Sequence, residues 1–153
     1  MDHFAGIISD THGLLRRKVT EVFAGCERIL HAGDVGNAAV LDGLRAIAPV
    51  TAVRGNMDRG PWTQGLKNIE RVEYRGFKIL IVHELYDLAL QTEAPTADIV
   101  IYGHSHQPKI EYRKSILFFN PGSAGPRRFK LPISAGVLRW MGTQLQPEII
   151  TLE

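Results

Sequence analysis

Phe4-Ala5-Gly6-Ile7-Ile8-Ser9-Asp10-Thr11-His12-Gly13 carries a short apolar run that stops at a carboxylate, an imidazole and a glycine. A run of that length bounded by polar residues reads as a buried strand, one that delivers Asp10 and His12 to its end. The same arrangement recurs downstream: Arg28 to His31 leads to Gly33-Asp34, and Val50 to Val53 leads to Arg54-Gly55-Asn56. Ile79 to Val82 leads to His83, and Ile99 to Tyr102 leads to Gly103-His104-Ser105-His106. In extended backbone, residues i and i+2 project to one side. Asp10 with His12 and His104 with His106 are therefore expected as two same-face pairs.

Between the first strands lie two helical patterns. Leu14 to Phe23 places Leu15, Val19, Val22 and Phe23 at helical spacing and stops at Gly25; Asn37 to Ile47 places Val40, Leu41, Leu44 and Ile47 on one side and is closed by Pro49. Strand and helix alternating at this length read as crossover units with a largely parallel sheet. Residues 57–68 have no period and read as a loop. Beyond residue 70 the pattern becomes mostly strand. Glu70 to Tyr74 and Phe77 to Val82 flank Arg75-Gly76, and a second hairpin centres on Arg113-Lys114-Ser115. Ala135 to Trp140 with Leu145 to Leu152 makes a third, and Tyr86 to Thr92 reads as a short helix. The expectation is an α/β chain with two sheets in one domain spanning 1–153.

Composition excludes several classes. With 18 Lys+Arg against 16 Asp+Glu, the net charge of +2 gives no electrostatic case for a nucleic-acid partner. The one basic spot, Arg127-Arg128-Phe129-Lys130, reads as a solvated turn or as a contact for substrate phosphate. Cys26 is alone, so neither a disulfide framework nor a thiolate zinc cluster is available, and it reads as a small buried residue. Met1-Asp2-His3-Phe4 enters a strand without a basic leader, and no apolar run approaches the roughly 20 residues of a membrane span. A cytoplasmic protein is expected.

Each polar candidate has an ordinary structural alternative. Asp10 and Asp34 could cap the helices expected near Leu14 and Gly36, Asn56 could belong to a turn, His12 could be a surface histidine and His83 a hydrogen-bonded core-edge one. Together the seven residues Asp10, His12, Asp34, Asn56, His83, His104 and His106 fall at strand ends, and none falls mid-strand. Carboxylate oxygen, amide oxygen and imidazole nitrogen without thiolate suit Mn, Zn, Fe, Co or Ni. Seven ligands exceed the need of one ion, which points to two divalent ions sharing a carboxylate.

The ordered motifs Asp10-Thr11-His12, Gly33-Asp34, Gly55-Asn56, His83 and Gly103-His104-Ser105-His106 resemble those of the calcineurin-like metallophosphoesterase superfamily. Ser9-Asp10-Thr11-His12-Gly13, Gly55-Asn56-Met57-Asp58 and Asn120-Pro121-Gly122-Ser123 resemble its small bacterial and archaeal phosphodiesterase branch. The resemblance implies two facing mixed β-sheets flanked by helices, a four-layer sandwich. It also implies that Asp10, His12 and His106 hold one metal, that Asn56, His83 and His104 hold the other, and that Asp34 bridges them. Manganese is the expected ion, hydrolysis of a small phosphodiester by a metal-activated water the expected activity. The alternatives are a phosphomonoesterase, or a protein-binding scaffold of the same fold like a eukaryotic vesicle-coat subunit.

Two positions depart from the pattern. Met57 follows the metal-binding Asn where larger relatives carry a proton-donating His, and Glu84 follows the lone His where the small branch carries Gly. A homo-oligomer is compatible with this sequence, with Trp62 as either an interface anchor or loop packing.

Overall fold

The computed structural model describes residues 2–86 and 96–153. Strands β1 (Phe4–Ile8), β2 (Arg28–His31) and β3 (Val50–Ala52) are parallel, in the order expected of crossover connections. The chain's last hairpin, β9 (Ser134–Trp140) with β10 (Leu145–Thr151), returns to this sheet antiparallel to β1, so the strand order is β10-β9-β1-β2-β3. The second sheet runs β4-β5-β6-β8-β7, from β4 (Ile69–Tyr74), β5 (Phe77–Val82), β6 (Ile99–Ile101), β7 (Lys109–Arg113) and β8 (Ile116–Asn120). Here β5, β6 and β8 are parallel, and β4 and β7 are antiparallel edges. Both sheets are therefore mixed, whereas the strand–helix alternation alone predicts a largely parallel one; the late hairpins supply the antiparallel strands.

Side-chain alternation separates the layers. Ala5 and Ile7 of β1, Leu30 of β2, Ile79 and Ile81 of β5 and Phe119 of β8 meet in the core between the sheets. Phe4 and Ile8 of β1 and Ile29 of β2 face the other way, against Val19, Phe23, Val40, Leu41 and Leu44. The last three lie on helix α2 (Ala38–Arg45) and Val19 on helix α1 (Arg17–Val22), so both helices cover the first sheet. Leu80 and Val82 of β5 form the outer face of the second sheet. The short helix expected at Tyr86–Thr92 lies mostly outside the described residues. Among the described residues no helix is long and apolar enough to cross a membrane.

The first helix is shorter than its apolar spacing predicts. Leu14 N–H closes a turn onto Thr11 C=O, and Arg16 is extended (φ −72°, ψ 141°). That extension lets the Arg16 guanidinium donate to the carbonyls of Ala124 and Gly125 and pair with Glu153. A tertiary tether outweighs one turn of helix here. Trp62, in a 3-10 turn at Pro61–Thr63, packs on the helix-side core, and Cys26 is buried. Burial pushes the Cys26 thiol up, which suits a packing role. The 127–130 run is an exposed turn in which Arg127 pairs with Glu153.

Candidate metal centre

Parallel neighbours end at one edge, so the loops after β1, β2, β3, β5 and β6 converge. The β1 and β2 loops are laced together backbone to backbone: Asp10 N–H donates to Gly33 C=O (2.9 Å), His12 N–H to Asp34 C=O (2.9 Å) and Gly13 N–H to Val35 C=O (2.8 Å). Gly103 N–H donates to His83 C=O across the second sheet (3.0 Å).

Backbone conformation within these loops differs from the extended form assumed for the same-face pairs. Asp10, His12, Asp34, His104 and His106 all have positive φ, between 46° and 73°. This left-handed region is uncommon for residues with a Cβ and costs about 1–3 kcal/mol where the surroundings enforce it. Five of the seven candidates share it, so the strand ends curl and aim their side chains by tight turning rather than by strand alternation. The two histidines of the 104–106 loop consequently part company: the His106 side chain is 4% exposed beside Asp10, and that of His104 is 46% exposed.

Five residues meet at the centre. Ligand atoms of Asp10, His12 and His106 lie within 4.8 Å of one another, as do those of Asp10, Asp34 and His83. Asp10 Oδ1 is 3.4 Å from His106 Nε2, 3.7 Å from His12 Nε2 and 3.9 Å from His83 Nε2. Asp34 Oδ2 lies between the two groups, 3.2 Å from His83 Nε2 and 3.8 Å from His12 Nε2. His12 Nε2 and His106 Nε2 face each other at 3.3 Å. His104 and Asn56 stand at the rim. The His104 ring is 5.2 Å from that of His83, with Nε2 3.2 Å from Glu84 Oε1; Asn56 is exposed and lines a cavity with His83 and Glu84.

Neither aspartate is a helix cap. Asn37 caps α2, its side chain accepting from Val40 N–H. Asp34 Oδ1 instead accepts from Met57 N–H (2.8 Å), and Asp10 Oδ2 accepts from Ser9 Oγ (2.6 Å) and His104 N–H (3.0 Å). Each carboxylate thus has one oxygen held by the protein and one turned toward imidazoles.

The donor set fits divalent metal. Asp10 Oδ1, His83 Nε2 and His106 Nδ1 are buried without a hydrogen-bond partner; each such group costs about 1–3 kcal/mol unless something satisfies it. His83 Nδ1 lies 2.7 Å from Ala32 C=O, so this nitrogen donates and Nε2 is left to serve as a ligand. Ligand atoms about 2.0–2.2 Å from a shared ion sit roughly 3–4 Å apart, the range found between Asp10, Asp34 and their imidazoles.

Four further residues form the frame, and sequence reasoning assigned none of them a role. His31 is fully buried; its Nε2–H donates to Thr11 Oγ1 (3.0 Å), and its Nδ1 accepts from Gly33 N–H (3.0 Å). Asp58 accepts from Val35, Gly36 and Gly55 N–H, joining the β2 and β3 loops. Asn120 donates to Gly103 C=O, and Ser123 Oγ–H to Asp10 C=O. For Asp58, Asn120 and Ser123 the signal was present in the Gly-Asn-x-Asp and Asn-Pro-Gly-Ser motifs. His31, ending an apolar strand, carried none.

Residues 4–142 match the model of the calcineurin-like phosphoesterase superfamily domain. The chain belongs to that superfamily. A probable metallophosphoesterase of Methanothermobacter thermautotrophicus is 36% identical over 95% of this chain and 90% of its own length. The phosphodiesterase YfcE of Escherichia coli is 31% identical over 85% and 84%. Vacuolar protein sorting 29 of Cryptosporidium parvum superposes with a TM-score of 0.84 over 99% of this chain and 92% of its own, at 21% identity, a likeness of fold.

Electrostatics of the metal-free centre give a pH prediction. Burial disfavours charge on His83, but the nearby Asp34 carboxylate and the field of Asp10 outweigh this and raise its pKa to about 9. Burial likewise opposes ionisation of Asp10 and Asp34, but neighbouring imidazoles hold both carboxyls below the usual range. Burial depresses His31 to about 4, leaving it neutral in the fold. A raised His pKa contributes stability that is complete below the unfolded value of about 6.5 and lost as pH climbs through 9. A depressed one costs stability as pH falls from about 6.5 toward 4, because the unfolded chain takes the proton first. Thermal unfolding in chelator should therefore show highest stability near pH 6.5. With saturating metal the alkaline decline should shrink, since ligation requires neutral His83. An equal decline with and without metal would contradict this.

Proposed function

We propose that the chain is a dinuclear metal-dependent phosphodiesterase, with Asp10, His12 and His106 holding one ion, His83, His104 and Asn56 the other, and Asp34 between them. The observation that carries this reading is the pair of buried, partnerless ligand atoms Asp10 Oδ1 and His83 Nε2, which sit within the two close groups that His12, Asp34 and His106 complete. When bound, two divalent ions, manganese first among Mn, Zn, Fe, Co and Ni, supply Lewis acidity toward phosphoryl oxygens and lower the pKa of an attacking water. The residues do the rest. Asp10 and Asp34 bring negative charge, the Ala32 carbonyl fixes the His83 tautomer, and the curled loops hold the donors before substrate arrives. The name of the YfcE relative supports a diester over a monoester substrate.

Metal analysis of the purified chain, with a hydrolysis screen of cyclic nucleotides, dinucleotides, glycerophosphodiesters and a chromogenic diester and monoester, tests the reading. Two ions per chain are expected, with diesters favoured and activity abolished by chelator after long dialysis. One ion or none at saturating Mn overturns the dinuclear centre. Absence of turnover on every ester, with a tight protein partner, would favour the scaffold role.

Met57 presents an exposed side chain, and its backbone N–H is what holds Asp34. A thioether has no proton to offer a leaving group. Met57→His should raise turnover of alkoxide-leaving diesters more than of nitrophenyl ones, by less than the roughly 10²–10⁴-fold of a well-placed general acid. Rates for both substrates at matched metal occupancy check this; equal changes would remove residue 57 from the leaving-group side.

A further inference from the structure

Beside the metal centre lies a cavity of about 340 Å³ lined by Arg54, Asn56, Arg59, Asn68, His83 and Glu84. That volume is within the range of small-molecule sites. His83 belongs to both the cavity wall and the centre, so a molecule held here reaches the ligand cluster directly.

The charges around the cavity are unequally partnered. Asp58 also lines it, but its carboxylate is saturated by three backbone N–H groups, from Val35, Gly36 and Gly55. Glu84 lies 3.2 Å from His104 Nε2. Among the described residues the two guanidiniums have no such counterpart. Arg54 donates through Nε to Asp58 C=O (3.0 Å), which orients its fork and leaves the terminal nitrogens uncommitted among the described residues. Arg59 has no side-chain hydrogen bond or ion pair among the described residues. Two arginines without carboxylate partners in one mostly polar cavity match a phosphate, whose oxygens accept paired N–H donors at fork spacing.

We propose that this cavity is a second-anion subsite: it holds one arm of the diester through an additional phosphate bound by Arg54 and Arg59. The preferred substrate class is then a phosphodiester carrying a further phosphate, as in a 5′-phosphorylated dinucleotide, over the same diester without it. Asn56 and Asn68 supply neutral polar contacts to the intervening sugar. This rests on the phosphodiesterase reading and adds substrate choice to it.

The test compares thymidylyl-thymidine with and without a 5′-phosphate on the metal-loaded chain, and measures calorimetric binding of thymidine 5′-monophosphate to the chelator-treated chain. The wild type should favour the phosphorylated dinucleotide in kcat/KM by about 10-fold or more, as expected of charge-assisted hydrogen bonds. Arg59→Gln should reduce that ratio toward one and weaken monophosphate binding by a similar factor. Arg54→Gln should do the same, and Arg54→Lys should recover part of the effect. Because Arg59 holds no structural bond, its variant keeps the test valid if Arg54→Gln disturbs the loop. A wild-type ratio near one, or monophosphate binding that Arg59→Gln leaves unaltered, overturns the subsite while leaving the phosphodiesterase intact. Failure to hydrolyse either dinucleotide counts against the phosphodiesterase reading, and monophosphate binding then decides the subsite separately.

Discussion

Asp10→Asn is expected to strip metal from the site it forms with His12 and His106 and to weaken the second, since Asp10 lies in both close groups. Diester hydrolysis should fall by well over the roughly 100-fold that losing an outer-shell partner costs. Asp10 is fully buried, with Oδ2 held by Ser9 Oγ and His104 N–H. An asparagine keeps those two bonds by turning its oxygen toward them. Its NH2 group then occupies the Oδ1 position, facing His106, His12 and His83. A donor without charge replaces an anionic acceptor at the point where the ions would bind, and the fold is left standing. Elemental analysis and hydrolysis rates, with circular dichroism as the folding control, check this. Two bound ions with near-normal turnover would remove Asp10 from the centre. Asp34→Asn should likewise weaken both groups, because Asp34 Oδ2 approaches His83 and His12 alike.

Gly55→Ala should combine a large loss of stability with a loss of metal. A Cβ at Gly55 would run into Asp34 N and Asp34 Oδ1, and neither can readily withdraw: the Asp34 backbone is laced to the β1 loop through its carbonyl and His12 N–H, and the carboxylate is held by Met57 N–H. Overpacking of this kind costs about 3 kcal/mol, roughly 6–12 °C in Tm for a chain of this size. Whatever relief occurs must move Asp34 from its imidazoles. Gly65→Ala, where an added Cβ meets open space, should shift Tm by less than about 2 °C. Thermal unfolding of both variants with metal analysis checks the pair; equal shifts would show that the approach at Gly55 is slack. Gly103 makes a similar approach, since a Cβ there would strike Ser9 Oγ and come within 2.7 Å of Asp10 Oδ2.

Much of this architecture is written locally. Apolar runs of strand length mark β1, β2, β5 and β6, and the turns Arg75-Gly76 and Lys114-Ser115 have the paired positive φ values that close tight hairpins. Donor chemistry is also local, because side-chain type alone makes Asp10, His12, Asp34, His83 and His106 candidate metal ligands and leaves lone Cys26 out. What neighbouring residues could not announce are the properties made by distant ones. Asp10 is anchored by a backbone N–H 94 positions away, and His31 is neutral because it is buried between loops. The left-handed turns at Asp10, His12 and Asp34 persist because tertiary hydrogen bonds hold them, against the preference of any isolated peptide. His104 and His106 stand two residues apart in the chain, yet packing sends one to the rim and the other inward. Arg54 and Arg59 look like ordinary surface charges until the fold gathers them into one cavity whose carboxylates, Asp58 and Glu84, are engaged by backbone N–H groups and by His104. Residue type and period carry the strands and the ligand chemistry; partner and burial are relations between segments, and only closure of the two sheets brings those segments together.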